Sequence, residues 1–290
     1  MTTAAGADPW AIPPLFAQLV DDTSLLQPRS SAPGVDTVVA RYLAAREGRY
    51  GGIVGQLVCP VSRLSALVAE LARSVPSRPV EVSLVVDTGL GAVPKALSTV
   101  FSRSSLLTPR TVETAAPPDV DAVWLERVAE FVPEDVVAVV EPRRPVASEP
   151  DSTAAWLKAV RRVAEHGCAP KLRCGGPRAS DVPTPVEVEE FVHVVVETGR
   201  AFTTLGLQQV VRSDDDGQHG ILNLLVAVAR ALGDGDVRGA LESTDGVALA
   251  GEISELSERG VKGVRGLLSR CGADPEPVPA AQLAGLGLLA

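Results

Sequence analysis

The chain has 290 residues, and its 36 acidic against 27 basic side chains give a formal net charge of −9. A hydrophobic share of 46% supplies a large buried core and excludes a mainly disordered chain. The acidic balance disfavours a nucleic-acid-binding protein, because such proteins carry basic patches.

The sequence also contains no segment that would direct the chain to a membrane. No stretch approaches the roughly 20 consecutive apolar residues that a spanning helix needs. Residues 1–8 carry neither a basic region nor an apolar run of signal-peptide length. The four cysteines form no C-x-x-C pair and match no zinc spacing, so we expect buried thiols. We therefore expect a soluble, cytoplasmic protein.

Apolar runs of strand length alternate with helical patterns along the chain. Strands are predicted over 53–59, 80–87, 107–116, 136–141, 170–174 and 201–207. Helices are predicted over 61–74, 92–101, 124–132, 152–166, 185–198 and 220–232. Pro109 is expected to place the paired part of its strand after that residue, because proline cannot donate to a ladder. Residues 145–150 are predicted to be a short loop between a strand and a helix.

Two further segments extend this order to eight units. Residues 16–26 precede a helical pattern over 35–45, and residues 247–250 precede a helical stretch over 252–271. Eight β–α units in about 250 residues are typical of a TIM barrel. A doubly wound open parallel sheet is the alternative, although no G-x-G-x-x-G fingerprint follows the first strand. We predict one α/β domain, a (β/α)8 barrel over 1–290 with a short N-terminal extension over 1–12.

In such barrels the working residues lie at the carboxyl ends of the strands and in the loops just after them. Lys171 and Arg173 stand two apart on one predicted strand, so both face the same side of the sheet. Glu141 ends the preceding strand and can pair with them. The same rule selects Asp21, Asp22, Asp87, Glu113, Gln208, Gln209, Arg212 and His219.

These charges admit two interpretations. In one, they form a buried ion-pair network that only holds the barrel together. In the other, Arg173 binds a carboxylate or phosphate through its planar guanidinium, and Lys171 is a second cationic contact. Gly175 and Gly176 would then let backbone N–H groups approach the same anion. Lys171 is also a candidate Schiff-base nucleophile, should Arg173 lower its pKa.

The histidines differ in context. His219 precedes a very apolar helix and is either a general acid or base or a helix-start residue with no chemistry. His166 and His193 fall on predicted helices, where we expect surface or packing roles. The Asp run over 214–216 is expected to be a solvated loop. We predict no metal site, because no ligand-spacing rule joins the acidic residues and His219.

Seven different short motifs follow one another along the chain. Each segment resembles a short motif found in one family of proteins, and that motif is given in parentheses after the segment. The segments are 19–26 (LVDDAxLFPP), 139–142 (VEVP), 171–176 (KLRTGG), 183–191 (PSxEELAxF), 206–212 (GLHHPxR), 219–223 (HGFLN) and 271–289 (GSCSFxEPVxDLxxLGLL). This series resembles a family of uncharacterised bacterial and plant proteins with TIM-barrel-like sequences. The resemblance implies a barrel in a bacterial protein, and it implies no established reaction.

Most of the polar pattern of that family is retained here. The retained residues are Glu141, Lys171, Arg173, Gly175, Gly176, His219 and Asn223. Gln208 and Gln209 replace a histidine pair, Phe202 replaces the lysine of an FKATAG motif, and Leu-Gln-Pro replaces Phe-Pro-Pro. Glutamine forms hydrogen bonds but does not titrate near neutral pH. Acid–base or metal chemistry of the histidine pair would therefore be lost in this chain.

Three functional interpretations remain. The first is an enzyme or former enzyme, a lyase, isomerase or transferase, that acts on a small phosphate- or carboxylate-bearing metabolite at the C-terminal face of the barrel. The second is a catalytically altered barrel that binds a ligand or protein partner without turnover. The third is an oligomeric structural protein. No particular cofactor is indicated, and homo-oligomerisation stays open.

The first interpretation assigns roles to particular residues. Its catalytic candidates are Glu141, Lys171 and His219. Its substrate-binding candidates are Arg173, Gly175, Gly176, Gln208, Gln209, Arg212, Asn223 and Asp22. The Gln208-Gln209 pair favours the second interpretation, because it lacks the titratable groups of the resembling family.

Overall fold

The computed structural model describes residues 12–27, 33–144, 152–176, 181–213, 217–273 and 279–290. Several sequence predictions lie outside these ranges: most of the extension over 1–12, the loop over 145–150, the Asp run over 214–216, and residues 274–278 of the last motif. Among the described residues, no helix is long and apolar enough to cross a membrane.

Eight parallel strands close into a barrel, which confirms the predicted fold. They are β1 (Val20–Asp22), β2 (Val54–Pro60), β3 (Val80–Val85), β4 (Leu107–Ala115), β5 (Val137–Glu141), β6 (Ala169–Arg173), β7 (Phe202–Leu205) and β8 (Leu268–Ala273). β1 closes the barrel by pairing with β8, with Val20 opposite Cys271 and Asp22 opposite Ala273. This pairing excludes the open-sheet alternative, in which the first and last strands do not meet.

Helices connect successive strands on the outside of the barrel. The described helices are α1 (Val35–Glu47), α2 (Leu64–Ser74), α3 (Val93–Phe101), α4 (Ala122–Phe131), α5 (Ser152–Glu165), α6 (Pro185–Thr198), α7 (Ile221–Leu232), α8 (Val237–Glu242), α9 (Gly246–Ser254), α10 (Glu258–Leu267) and α11 (Pro279–Gly285). α6 has its predicted bounds, because Thr184 and Glu187 form a capping box and Gly199 ends the helix in the left-handed region.

The sequence predicts the strand of the eighth β–α unit at the wrong place in the chain. Residues 247–250 lie inside α9, where Asp245 caps the helix by accepting a hydrogen bond from the Ala248 amide at 2.9 Å. The eighth strand is instead β8, whose first four residues, 268–271, fall in the span predicted as helical over 252–271. Its sequence, LSRCGA, has no β-branched residue, so local preference does not reveal it. Pairing with β7 and β1 on its two sides overrides that preference.

The expectation that pairing of β4 begins only after Pro109 is also wrong. β3 and β4 pair from Val80 and Leu107 onward, with Val82 opposite Pro109. The register then shifts, and Arg110 is the extra residue of a β-bulge. A bulge is one of the places where a strand tolerates proline, and this one directs an arginine to the amino-terminal end of the barrel.

Side chains alternate between two environments along the strands. Outward-facing apolar residues such as Leu57, Leu84 and Val112 join a core with Leu67 and Leu71 of α2. The inside of the barrel is polar: Thr111 of β4 donates a 3.0 Å hydrogen bond to Gln56 of β2 across the intervening strand. Buried polar side chains of this interior include Asp21, Gln56, Ser83, Thr111, Glu113, Lys171 and Thr203.

Candidate functional site

The centre of the barrel holds a buried ion pair. Lys171 of β6 is 5% exposed, and its Nζ donates to Oε2 of Glu113 on β4. Because β5 lies between these strands, the contact crosses the barrel interior. Ser83 of β3 donates its hydroxyl to the other carboxylate oxygen of Glu113 at 2.6 Å. Both oxygens of Glu113 therefore have a partner, and the two buried charges compensate one another.

A second ion pair lies nearer the carboxyl ends of the strands. Arg173 donates from Nε and Nη2 to the two carboxylate oxygens of Glu141, at 2.7 and 2.9 Å. The arginine side chain is 40% exposed and the glutamate side chain 21%. Burial lowers the pKa of Arg173, but the hydrogen bonds and charge of Glu141 outweigh it and raise the pKa above its ordinary value. Among the described residues, none accepts a hydrogen bond from Nη1 of this arginine.

Both ion pairs line one cavity of about 270 Å³ at the carboxyl ends of the strands. Its other walls include the apolar side chains of Leu26, Val85, Ala115 and Leu205. Five of its ten lining residues are apolar and five are polar or charged, and polar groups that converge on one cavity are a feature of small-molecule sites. A cavity of this volume is the size of a small metabolite.

The structure therefore brings together three predicted site residues, Glu141, Lys171 and Arg173. Their pairing differs from the prediction, which placed Glu141 opposite both basic residues. Glu113 pairs with Lys171 instead. The sequence rule had selected Glu113, but without a role. The alternation of β4 is the signal that could have assigned one, since Thr111 and Glu113 share the inward-facing phase.

The two adjacent aspartates of β1 face opposite sides of the sheet. Asp21 points into the barrel, where its Oδ1 accepts a 2.7 Å hydrogen bond from the Gln56 amide and lies 3.8 Å from Arg270 Nη1. Burial raises the pKa of Asp21 to about 7, against the lowering effect of Arg270. Asp22, the predicted substrate contact, points outward and accepts hydrogen bonds from the amide and hydroxyl of Ser24 at 2.9 and 2.5 Å.

His219 is buried and lies away from the residues that line the cavity. Its Nε2 is 2.7 Å from the carbonyl oxygen of Pro183, so Nε2 carries the proton and donates. No described residue forms a hydrogen bond with Nδ1. Burial lowers the pKa of His219, so the ring is neutral at pH 7. The contact with Pro183 indicates a structural role before α7.

Asn223 and Arg212 have protein partners that account for their positions. Asn223 accepts a 2.7 Å hydrogen bond from the Arg212 amide and donates to the carbonyl oxygens of Ala240 and Ser243 at 2.8 and 2.7 Å. Arg212 donates from Nη1 to the Gly217 carbonyl at 2.8 Å. These contacts hold the loop before α7 against the end of α8.

Gly175 and Gly176 permit close packing after β6. A Cβ atom on Gly175 would lie 2.5 Å from the carbonyl oxygen of Gly206, and one on Gly176 would lie 2.5 Å from Oδ2 of Asp181. Gly206 itself has a φ of 89°. Packing thus explains glycine at both positions, and the backbone–anion contact stays a prediction.

Gln208 and Gln209 line a different surface, an open groove of about 620 Å³ shared with Gln218 and Gln282. This groove has no lining residue in common with the cavity around Lys171. The structure therefore separates the predicted site residues into a charged cavity, an amide-lined groove and a set of structural contacts.

No group of three or more His, Cys, Asp and Glu side chains in the described part of the chain is placed to hold a metal ion. No protein-family model matches the chain, and no curated protein matches it.

Proposed function

We propose that the chain is an enzyme that acts on a small carboxylate- or phosphate-bearing metabolite at the carboxyl-terminal mouth of its barrel. One observation carries this proposal: two ion pairs, Lys171–Glu113 and Arg173–Glu141, line the same small cavity where the strands end. Barrel enzymes place their working groups at this end.

Arg173 is the substrate-binding residue of this proposal. Its contact with Glu141 uses Nε and Nη2, which leaves Nη1 directed away from that carboxylate. A guanidinium group binds carboxylate and phosphate through parallel N–H donors. Glu141 then fixes the orientation of the arginine, so the side chain loses little conformational entropy when the anion binds.

Lys171 is the proposed acid. Paired with Glu113, it carries an ammonium group to the base of the cavity, where it can donate a proton or stabilise negative charge that develops on the substrate. Addition of Lys171 to a carbonyl would first require transfer of its proton to Glu113. Lyase, isomerase and transferase reactions on an anionic metabolite are all compatible with this pair.

Ligand binding without turnover is the second candidate, and a specific contact favours it. Ser83 and Lys171 each donate to one carboxylate oxygen of Glu113, so a substrate must compete with these two donors for the carboxylate. The neutral His219 lies outside the cavity and supplies no substitute base. Turnover would then require the Lys171–Glu113 pair to open on substrate binding.

A thermal-shift screen with phosphorylated sugars, nucleotides and carboxylic acids tests the site. A ligand at 100 times its Kd stabilises the fold by about 2.7 kcal/mol. We expect Arg173→Ala to abolish the shift. Arg238→Ala is the matched control, because Arg238 also donates from Nε and Nη2 to a carboxylate and is similarly exposed, but it lies on α8. A shift that survives in Arg173→Ala would contradict the proposed site.

Turnover of the same ligand separates the two candidates. NMR can follow conversion of the ligand by the wild-type chain. The enzyme is supported if Glu113→Gln abolishes this conversion but keeps the thermal shift. Binding with no conversion would favour the second candidate. Absence of any shift across the panel would count against both.

A further inference from the structure

A second cavity, of about 210 Å³, opens at the opposite end of the barrel. Its walls include Val54, Glu81 and Thr108, which lie at the amino ends of β2, β3 and β4. The Lys171 cavity lies at the carboxyl ends of β3 to β7. The two sites are therefore independent, and nothing in the proposed function uses the second one.

Three arginines and one carboxylate line this cavity: Arg46, Arg78, Arg110 and Glu81. The chain as a whole has a net charge of −9, so a local excess of positive charge is contrary to its overall balance. Guanidinium groups repel one another at short range unless an anion lies between them. The lining thus has a net positive charge, because its three arginines outnumber its one carboxylate.

Arg46 is held rigidly in this wall. It is 7% exposed and donates from Nη1 to the Pro79 carbonyl and from Nη2 to the Arg78 carbonyl, each at 3.1 Å. Its Nε has no hydrogen-bond partner among the described residues. A buried donor without a partner costs free energy, and an acceptor supplied by a ligand would remove that cost. Burial also lowers the pKa of Arg46, which a bound anion would oppose.

Arg110 reaches the cavity because it is the extra residue of the β4 bulge. Its Nε and Nη2 both donate to Oε1 of Glu81, at 3.0 and 2.7 Å. The other oxygen of Glu81 lies 3.9 Å from Arg270 Nη2. Arg110 and Arg270 therefore share this carboxylate, and among the described residues no ion pair joins it to Arg46 or Arg78. Glu81 and Glu47 act on the charge of Arg46 only at longer range.

Taken together, these contacts lead us to propose that the amino-terminal cavity binds a phosphate group, as inorganic phosphate or as part of a small phosphorylated molecule. The planar donors of Arg46, Arg78 and Arg110 fit the several acceptor oxygens of a phosphate. Tyr42 helps to position Arg46, because its ring lies against the Arg46 guanidinium and its hydroxyl donates to the Gly55 carbonyl at 2.7 Å.

Isothermal titration of the full chain with inorganic phosphate and with pyrophosphate tests the proposal. We expect saturable binding of at least one of them at low ionic strength. Arg78→Gln and Arg110→Gln should each weaken it about tenfold or more, because each removes charge-assisted hydrogen bonds. Both side chains are exposed, so these variants should fold. Arg73→Gln is the matched control, since it makes the same charge change on an exposed helix position away from the cavity.

Arg173→Gln distinguishes this site from the proposed active site. Phosphate binding that persists in Arg173→Gln and weakens in Arg78→Gln and Arg110→Gln supports the amino-terminal site, whatever becomes of the proposed function. Binding that is lost in Arg173→Gln, or equal in all variants, overturns it. Failure of both anions to saturate the wild-type chain overturns it as well.

Discussion

The two ion pairs of β6 use the same chemistry in different surroundings. The side chains of Lys171 and Glu113 are 6% and 8% exposed, whereas those of Arg173 and Glu141 are 40% and 21% exposed. Moving two residues along one strand changes a buried pair into one that solvent reaches. The deeper pair must compensate its own charges, while the outer pair retains donors for a ligand.

Residue type follows the same division. Lysine is a compact charge that can transfer a proton, and at the deeper position its single ammonium meets one carboxylate oxygen. Arginine keeps its charge at all accessible pH values, and at the outer position its fork meets both oxygens of Glu141. Under the proposed function, the deeper pair would carry the chemistry and the outer pair would bind the substrate.

Removing one partner of the deeper pair should have the largest effect on stability. Lys171→Met removes the positively charged partner of Glu113 in the barrel interior. We expect it to lower the free energy of unfolding by about 3–5 kcal/mol. Urea denaturation at pH 7 measures this change. The double variant Lys171→Met/Glu113→Leu should recover most of the loss, because neither charge of this pair then remains in the interior. A cost below about 1 kcal/mol for the single variant would show that water reaches the pair.

Asp21 should make the barrel interior sensitive to pH. Its pKa rises from 3.8 to about 7 on folding because of burial, so the folded state holds a proton that the unfolded chain releases. This contribution to stability is complete below pH 4 and is lost as the pH rises through 7. It amounts to about 4 kcal/mol, at 1.36 kcal/mol for each pH unit.

Asp21→Asn removes this proton linkage and provides the measurement. The free energy of unfolding of the wild-type chain should fall by about 4 kcal/mol relative to this variant between pH 4 and pH 8. His219 has the opposite dependence, since its lowered pKa costs stability as the pH falls below about 6.5. The difference between wild type and Asp21→Asn cancels that contribution. A difference that stays constant with pH would refute a protonated Asp21.

The sequence predicts most of the barrel because periodicity is local information. Alternating strand and helix patterns identify seven of its strands, whereas β8 has no such pattern and depends on its neighbours. Local sequence also singles out Lys171 and Arg173, since charges inside an apolar strand need a partner. The partner itself depends on register across the barrel, which a single sequence does not contain.

The same limit applies to residues with structural roles. The sequence treats Asp21 and Asp22 alike, and only the phase of β1 separates an interior carboxyl from one that contacts Ser24. His219 and Asn223 resemble site residues in sequence, yet their hydrogen bonds are to backbone groups of other segments. Such long-range contacts become visible only in the folded chain.

The outer pair should contribute least to stability, and a double-mutant cycle sharpens the comparison. We expect a coupling energy of about 0.5–1 kcal/mol between Arg173 and Glu141, because solvent screens a pair that is this exposed. Urea denaturation of Arg173→Ala, Glu141→Ala and the double variant measures it. The corresponding cycle for Lys171 and Glu113 should give a value several times larger. Equal coupling in the two cycles would place both pairs in the scaffold and remove the argument for a recognition site at the mouth of the barrel.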